Sequence, residues 1–301
     1  MMASARLAAI LALAVLAGAG AAAAQDAPRE IGGTLKRVKE TGTVAIGYRE
    51  SSIPFSYVNK GGDPVGYSID LCNEIVDEVS RELGGVELSV AYKKVTSESR
   101  ISAVRSGEVD LECGSTTSNF ERQKQVAFSP IFFVAGTKLL VRRDSGVGSY
   151  RGLKGKTVVV TAGTTNEAAI RGLSEKQKLD IKIIVGKDQA DSFAMLEAGK
   201  ADAFATDDVL LYGLVATTKT GDRYQIVGDY LSYDPYGLMY RKDDPDFTAI
   251  VDRAFSRLAA SRELVQLYNK WFQKRLPTGE RLDLPISPQL EEIFRVQGVP
   301  E

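Results

Sequence analysis

The chain of 301 residues contains no histidine. That removes a Ser-His-Asp triad, a Cys-His pair and His-ligated zinc from the chemistry open to it. It has only two cysteines, Cys72 and Cys113, too few for a structural zinc site. No Gly-rich phosphate loop of the P-loop type occurs. Lys and Arg number 38 against 39 Asp and Glu, so no strong basic field is available to nucleic acid. Past the first 24 residues, no apolar run is long enough to span a bilayer.

What is present begins at the N-terminus. Arg6 is the lone charge ahead of the apolar run LAAILALAVLAG and an Ala/Gly-rich tail. Ala22 and Ala24 satisfy a small-x-small cleavage pattern before Gln25, the layout of a secretory signal peptide over residues 1–24. A permanent membrane anchor is the alternative. The short Leu-rich part followed by alanines favours cleavage, and no cysteine stands at the cleavage point to make a lipoprotein. Cleavage takes away one arginine and no acidic residue, moving the net charge from −1 to −2. Export places Cys72 and Cys113 in an oxidising compartment, where an even count suggests a disulfide; two buried free thiols are the alternative. A bond closing a loop of 41 positions contributes roughly 4 kcal/mol in the chain-entropy model.

Two segments read as copies, 92 positions apart: ISAVRSGEVDLECGSTT from Ile101 and FAMLEAGKADAFATDDV from Phe193. Each has a helical apolar pattern, then small-Gly-x-apolar-Asp, then a short strand ending in polar residues. Such a repeat predicts two similar α/β lobes, although a chance likeness over 17 positions is open. Around it, period-2 and β-branched runs predict strands over 43–48, 86–92, 109–113, 156–161, 181–185, 201–205, 224–227 and 237–241. RESSIPFSYV reads as a loop and 126–141 as one extended run. Leu71, Ile75, Val79 and Leu83 recur every four residues, predicting an amphipathic helix over 68–83. Thr96 and Ser97 stand where an N-cap would start the helix through Val104. From Asp246 the chain is helical until Pro277. The simplest arrangement is a second lobe, 137–239, inserted into a first made of 31–136 and 240–301. Two crossings side by side then form a hinge.

In open α/β sheets ligands sit beyond the carboxyl ends of the strands. The repeat therefore aims Ser115, Thr116 and Thr117 of one lobe at Asp207 and Asp208 of the other. Three arginines stand in polar loops among hydroxyls: Arg49 near Ser51 and Ser52, Arg100 near Ser97 and Ser99, and Arg122 near Thr116 to Ser118. A guanidinium pairs a carboxylate bidentately, so three converging on one cleft favour an anionic ligand. A solvated surface charge is the alternative for each. Gly163-Thr164-Thr165 opens a helix whose free N–H groups suit a carboxylate, or serves as an ordinary cap. Asp207 suits an ammonium group, or caps the helix that follows. Phe55 and Tyr57 wall a pocket or belong to the core, and Trp271 reads as packing.

The stretches GYRESSIPFSYV, PVGYSIDLC, ECGSTTSNFERQKQVAFS, KTVVVTAGTTNE and KDQADSFAMLEAGKADAFATDD resemble those of periplasmic amino-acid ABC transporter substrate-binding proteins of the glutamate/aspartate-binding type. The resemblance covers essentially the whole mature chain. It implies a two-lobed periplasmic-binding-protein fold with two hinge crossings (type II), no cofactor or metal, and no catalysis. It implies a monomer in the periplasm that hands L-glutamate or L-aspartate to a membrane permease. Carried over residue by residue, Arg122 with Ser115, Thr117 and Thr165 resembles the α-carboxylate site. Asp207 with Ser115 matches the α-ammonium site. Arg49 and Arg100 with Ser97 resemble the group that holds the side-chain carboxylate. Where close relatives place a histidine near the ligand side chain, this chain has Gln189. Since glutamine and arginine do not titrate near neutrality, affinity is expected to be nearly flat from about pH 5.5 to 7.5. The rival readings are a ligand sensor and a dehydratase-like enzyme on the same fold. The enzyme would need an acid in the cleft, for which Glu112 and Asp208 are available.

Overall fold

The computed structural model describes residues 31–299, so the leader expected at residues 1–24 lies outside it. Residues from Gly32 onward form one compact unit built on two five-stranded sheets. The first sheet has the order Ser89–Lys94, Thr43–Tyr48, Leu111–Glu112, Met239–Tyr240, Ala127–Phe128. The second has the order Lys182–Gly186, Thr157–Thr161, Ala203–Asp207, Thr137–Arg142, Tyr224–Val227. In both, the first three strands are parallel and the fourth runs against its neighbours. The repeated segments supply the third strand of each sheet.

The fourth strand of each sheet arrives from the other one. Thr137–Arg142 enters the second sheet directly after the chain leaves the first, and Met239–Tyr240 returns to the first. On the way the two connections pair antiparallel, Phe133–Ala135 against Asp234–Tyr236, with Tyr236 opposite Phe133. This ribbon links the two lobes.

Valines explain the second sheet. Val158 and Val160 face one apolar layer with Leu139, Val141 and Ile170, while Val159 faces another with Leu140, Phe193 and Phe204. A parallel sheet covered on both faces needs such an unbroken apolar run, because successive side chains point to opposite sides. In the first lobe the helix Tyr67–Glu82 buries Leu71, Ile75 and Val79, whereas Leu83 is only half-buried just past its end. Cys72 of this helix is disulfide-bonded to Cys113, which follows the strand Leu111–Glu112, with Cα atoms 6.3 Å apart. Among the described residues no helix is long and apolar enough to cross a membrane.

Three local expectations are corrected. The segment read as a loop forms a small antiparallel sheet of Ser51–Ser52, Ser56–Val58 and Pro64–Val65. It exists because Phe55 is driven into the core: its ring lies 5.0 Å from Phe133, 5.1 Å from Tyr236 and 5.6 Å from Phe272. Burying such a ring contributes about 2–3 kcal/mol. Tyr57 and Trp271 are core as well, with Trp271 Nε1 donating to Asp70. The run 126–141 divides into three strands belonging to three sheets. The helix expected from Thr96 starts instead at Arg100 with Ser99 at its N-cap, where Thr96 and Ser99 exchange backbone-to-hydroxyl hydrogen bonds. Beyond Pro277 a further helix, Pro288–Gln297, buries Leu290 and Phe294.

Candidate functional site

Each of the expected ligand-binding residues follows, or ends, a strand of the two sheets. Arg49 follows Thr43–Tyr48, Ser97 and Arg100 follow Ser89–Lys94, and Ser115, Thr117 and Arg122 follow Leu111–Glu112. From the second sheet, Thr165 follows Thr157–Thr161, Gln189 follows Lys182–Gly186, and Asp207 ends Ala203–Asp207. Ser97, Arg100, Ser115, Thr117, Thr165, Gln189 and Asp207 line one shared cavity. Arg49 and Arg122 stand just outside that lining. Thr164, marked in the sequence as part of the Gly163-Thr164-Thr165 helix start, lines it too, and Asn166 and Leu210 line it but escaped the sequence reading. Asn166 could have been found as the position next to Thr165 in a helix start already marked. Leu210 carried no signal, since an apolar residue in a helix is ordinary core. The cavity is about 10 Å³, room for one water.

The three arginines are buried, Arg49 and Arg100 at 2% exposure and Arg122 at 8%. Arg49 Nη2 donates to Ser97 Oγ at 2.6 Å, and Arg100 Nη1 to Thr116 Oγ1 at 2.7 Å. Arg122 Nη1 donates to the Thr117 carbonyl at 2.8 Å and Nη2 to the Gly163 carbonyl at 3.2 Å. Its short helix Phe120–Gln123 is capped by Asn119, whose side chain accepts from the Arg122 N–H. Each fork thus rests on neutral oxygens, and among the described residues none of the three forms an ion pair. Burial pulls the Arg49 guanidinium down to about 10, and the charge of Arg100 adds to this. Burial, then Arg100, brings Arg122 down to about 9, and burial lowers Arg100 too. All three stay charged at neutral pH. A buried charge without an opposite partner is costly, so an anion placed among them is stabilised.

Asp207 occupies the N-cap position of the helix Asp208–Thr217, yet its side chain makes no cap hydrogen bond. It is turned into the cleft region, where Asn166 Nδ2 donates to it at 2.7 Å and the Tyr236 hydroxyl also donates to it. Burial raises its carboxyl to about 7, and nearby Asp234 adds to the rise. A cation arriving there would relieve that strain. Gln189 is buried, and its Oε1 accepts from Thr161 Oγ1 at a long 3.5 Å.

Thr164 caps the helix Thr165–Gln177 by accepting from the Glu167 N–H. This side of the cleft meets the other through polar contacts and through Ile53, which packs against Gly213. Thr117 and Thr165 hydroxyls lie 3.2 Å apart, Arg122 reaches Gly163, and the Ala190 N–H donates to Ser51 Oγ at 3.4 Å. Thr117 Oγ1 also donates to Asp234 of the linking ribbon at 3.1 Å. Neither carboxylate considered as a catalytic acid lines the cavity. Glu112 is sealed beneath it with Thr116 donating at 2.6 Å, and Asp208 accepts from Tyr230 on its outer side. Among the described residues no cluster could hold a metal ion.

The sequence model for bacterial extracellular solute-binding proteins, family 3, matches residues 44–274. The chain is 46% identical over 267 residues to the L-glutamate/L-aspartate-binding protein of Pseudomonas aeruginosa, covering 88% of each. It is 42% identical over 288 residues to the glutamate/aspartate import solute-binding protein of Escherichia coli K12, covering 95% of each. Among solved structures, holo ArgBP from T. maritima superposes with a TM-score of 0.67 at 30% identity, over 78% of this chain and 98% of that one. The ancestral amino acid-binding protein AncCDT-1, a precursor of cyclohexadienyl dehydratase, superposes with a TM-score of 0.67 at 28% identity, over 79% and 99%.

Proposed function

Because the chain belongs to the bacterial extracellular solute-binding proteins, family 3, we propose that it captures L-glutamate or L-aspartate in the periplasm and passes it to the permease of an ABC importer. The observation that carries this reading is the set of three buried, unpaired guanidinium groups facing one buried carboxylate. A dicarboxylic amino acid has two carboxylates and one ammonium. It complements that set in sign.

In this reading Arg122, with Ser115, Thr117 and Thr165, holds the α-carboxylate. Asp207, with Ser115, holds the α-ammonium. Arg49 and Arg100, with Ser97, hold the side-chain carboxylate, and Gln189 lies beside it. The protein is exported by a leader over residues 1–24 that is then removed. Its lobes are 31–136 with 240–301, and 137–239, and they part at the ribbon to admit ligand. It works as a monomer, without cofactor, and releases its ligand chemically unchanged.

Calorimetric titration with each of the twenty amino acids tests the reading, with mass spectrometry of the ligand recovered afterwards. Glutamate and aspartate should bind most tightly and be recovered intact. Preference for a basic or neutral amino acid would overturn the assignment. Recovery of an altered molecule would turn the reading to lyase chemistry on this fold.

A further inference from the structure

Glu112 is a fully buried carboxylate that the binding site does not use directly. It lies on the central strand Leu111–Glu112, opposite Gly47 on one side and Met239 on the other. A charged side chain is almost never buried unless it is paired. Here the pairing is indirect. Thr116 Oγ1 donates to Glu112 Oε2 at 2.6 Å, and Arg100 Nη1 donates to that same Thr116 Oγ1 at 2.7 Å. A hydroxyl has one proton, so once it is given to the carboxylate, Thr116 can only accept from the guanidinium. The direction of the chain is therefore set from Arg100 through Thr116 to Glu112. The other carboxylate oxygen, Oε1, has no protein partner and lies under Gly114, where a Cβ would come within 2.3 Å of it and 3.1 Å of Arg49 Cγ. One acid thus sits below two arginines that repel each other, without forming an ion pair that would occupy either fork.

We propose that Glu112 is a positioning residue: acting through Thr116, it orients Arg100 to receive the side-chain carboxylate of the ligand. This rests on the glutamate/aspartate reading above. It assigns selectivity between acidic ligands and their amides to two residues outside the cavity lining. The sign of the effect separates this role from that of a bare charge. A lone negative charge beneath the site opposes an anionic ligand, so removing it would tighten glutamate binding. If Glu112 works by holding Arg100, removing its charge weakens the held geometry and glutamate binding falls.

The test is a set of titrations with glutamate and glutamine on the full exported protein. Thr116→Val should lower glutamate affinity roughly tenfold to a hundredfold, the scale of a hydrogen bond to a charged group, and lower glutamine affinity far less. Thr116→Ser restores the hydroxyl and should restore affinity, which a packing defect would not. Glu112→Gln should lower glutamate affinity in the parent but should no longer lower it in the Thr116→Val background, where only the bare charge remains to be removed. Thr116→Val should likewise have little effect in the Arg100→Ala background, because coupled residues are not additive. Tighter glutamate binding by Glu112→Gln in the parent, equal losses for both ligands, or additive losses would each overturn the relay. A parent protein that does not bind glutamate would instead overturn the functional reading itself.

Discussion

At Asp207 the requirements of folding and of binding are opposed. Burial holds its carboxyl at about 7, whereas an unfolded aspartate titrates near 3.9. Between those values the folded protein binds more protons than the unfolded chain, so ligand-free stability is fully present below about pH 4 and falls as pH rises toward 7. Asp207→Asn should remove that penalty, stabilising the ligand-free protein at pH 8 by at most about 4 kcal/mol in thermal melts, while binding is lost. Glutamate affinity should follow the charged carboxylate, rising through pH 7 and decreasing roughly twentyfold from pH 7.5 to 5.5 in calorimetric titrations. That expectation replaces the flat profile drawn from arginine and glutamine alone, which left out the burial of Asp207 and its neighbour Asp234. The glutamate-to-glutamine affinity ratio cancels the Asp207 effect, because both ligands carry the same ammonium. That ratio isolates Gln189: Gln189→His should raise it at pH 5.5, where a histidine is charged, more than at pH 7.5. An unchanged ratio at both pH values would remove Gln189 from the side-chain pocket.

Among the elements, the start of the helix Thr165–Gln177 is a close junction. Gly163 precedes it at φ +70°, and a Cβ there would lie 2.8 Å from Glu98 Cα and 3.0 Å from the Ser97 carbonyl, both in the first lobe. Gly163→Ala should therefore have two separable effects. The left-handed backbone costs about 1 kcal/mol whether or not ligand is bound, which melts of the free protein would show. The contact with Ser97 and Glu98 exists only with the cleft shut, so glutamate affinity should fall roughly tenfold or more. The helix Tyr67–Glu82 is pinned instead by the Cys72–Cys113 bond. Cys72→Ser should destabilise the protein by roughly 4 kcal/mol in denaturant unfolding, the loop-closure value for 41 positions. Reduction of the parent should have the same effect, and no effect in either would mean that the helix holds without it.

For the molecule as a whole, the cavity is walled by residues of both lobes, so parting the lobes opens it to a ligand. The contacts across the cleft are hydrogen bonds together with Ile53 packed against Gly213, whereas Phe133 and Tyr236 of the ribbon are locked into the aromatic core of the first lobe. Opening should thus bend the ribbon beyond that anchor and leave each lobe intact. Small-angle scattering should give a larger radius of gyration without ligand than with saturating glutamate. Equal radii would count against hinge closure.

Local pattern determined a good deal by itself. The strands Thr43–Tyr48 and Tyr224–Val227, the helix stripe of Leu71, Ile75 and Val79, and the doubled unit that supplies the third strand of each sheet all follow from residue periodicity, which depends only on near neighbours. The arginines and Asp207 were visible because charged residues after strands have few ordinary reasons to cluster. Tertiary structure alone decided what depends on distant partners. It folded Ser51 to Val65 into a small sheet around Phe55, divided 126–141 among three sheets, and turned Asp207 from helix cap to Asn166 and Tyr236. It also placed Glu112 beneath Arg49 and Arg100 and lifted the Asp207 carboxyl toward neutrality. Burial and through-space charge act between residues far apart in the chain, and no spacing within the sequence encodes their distance.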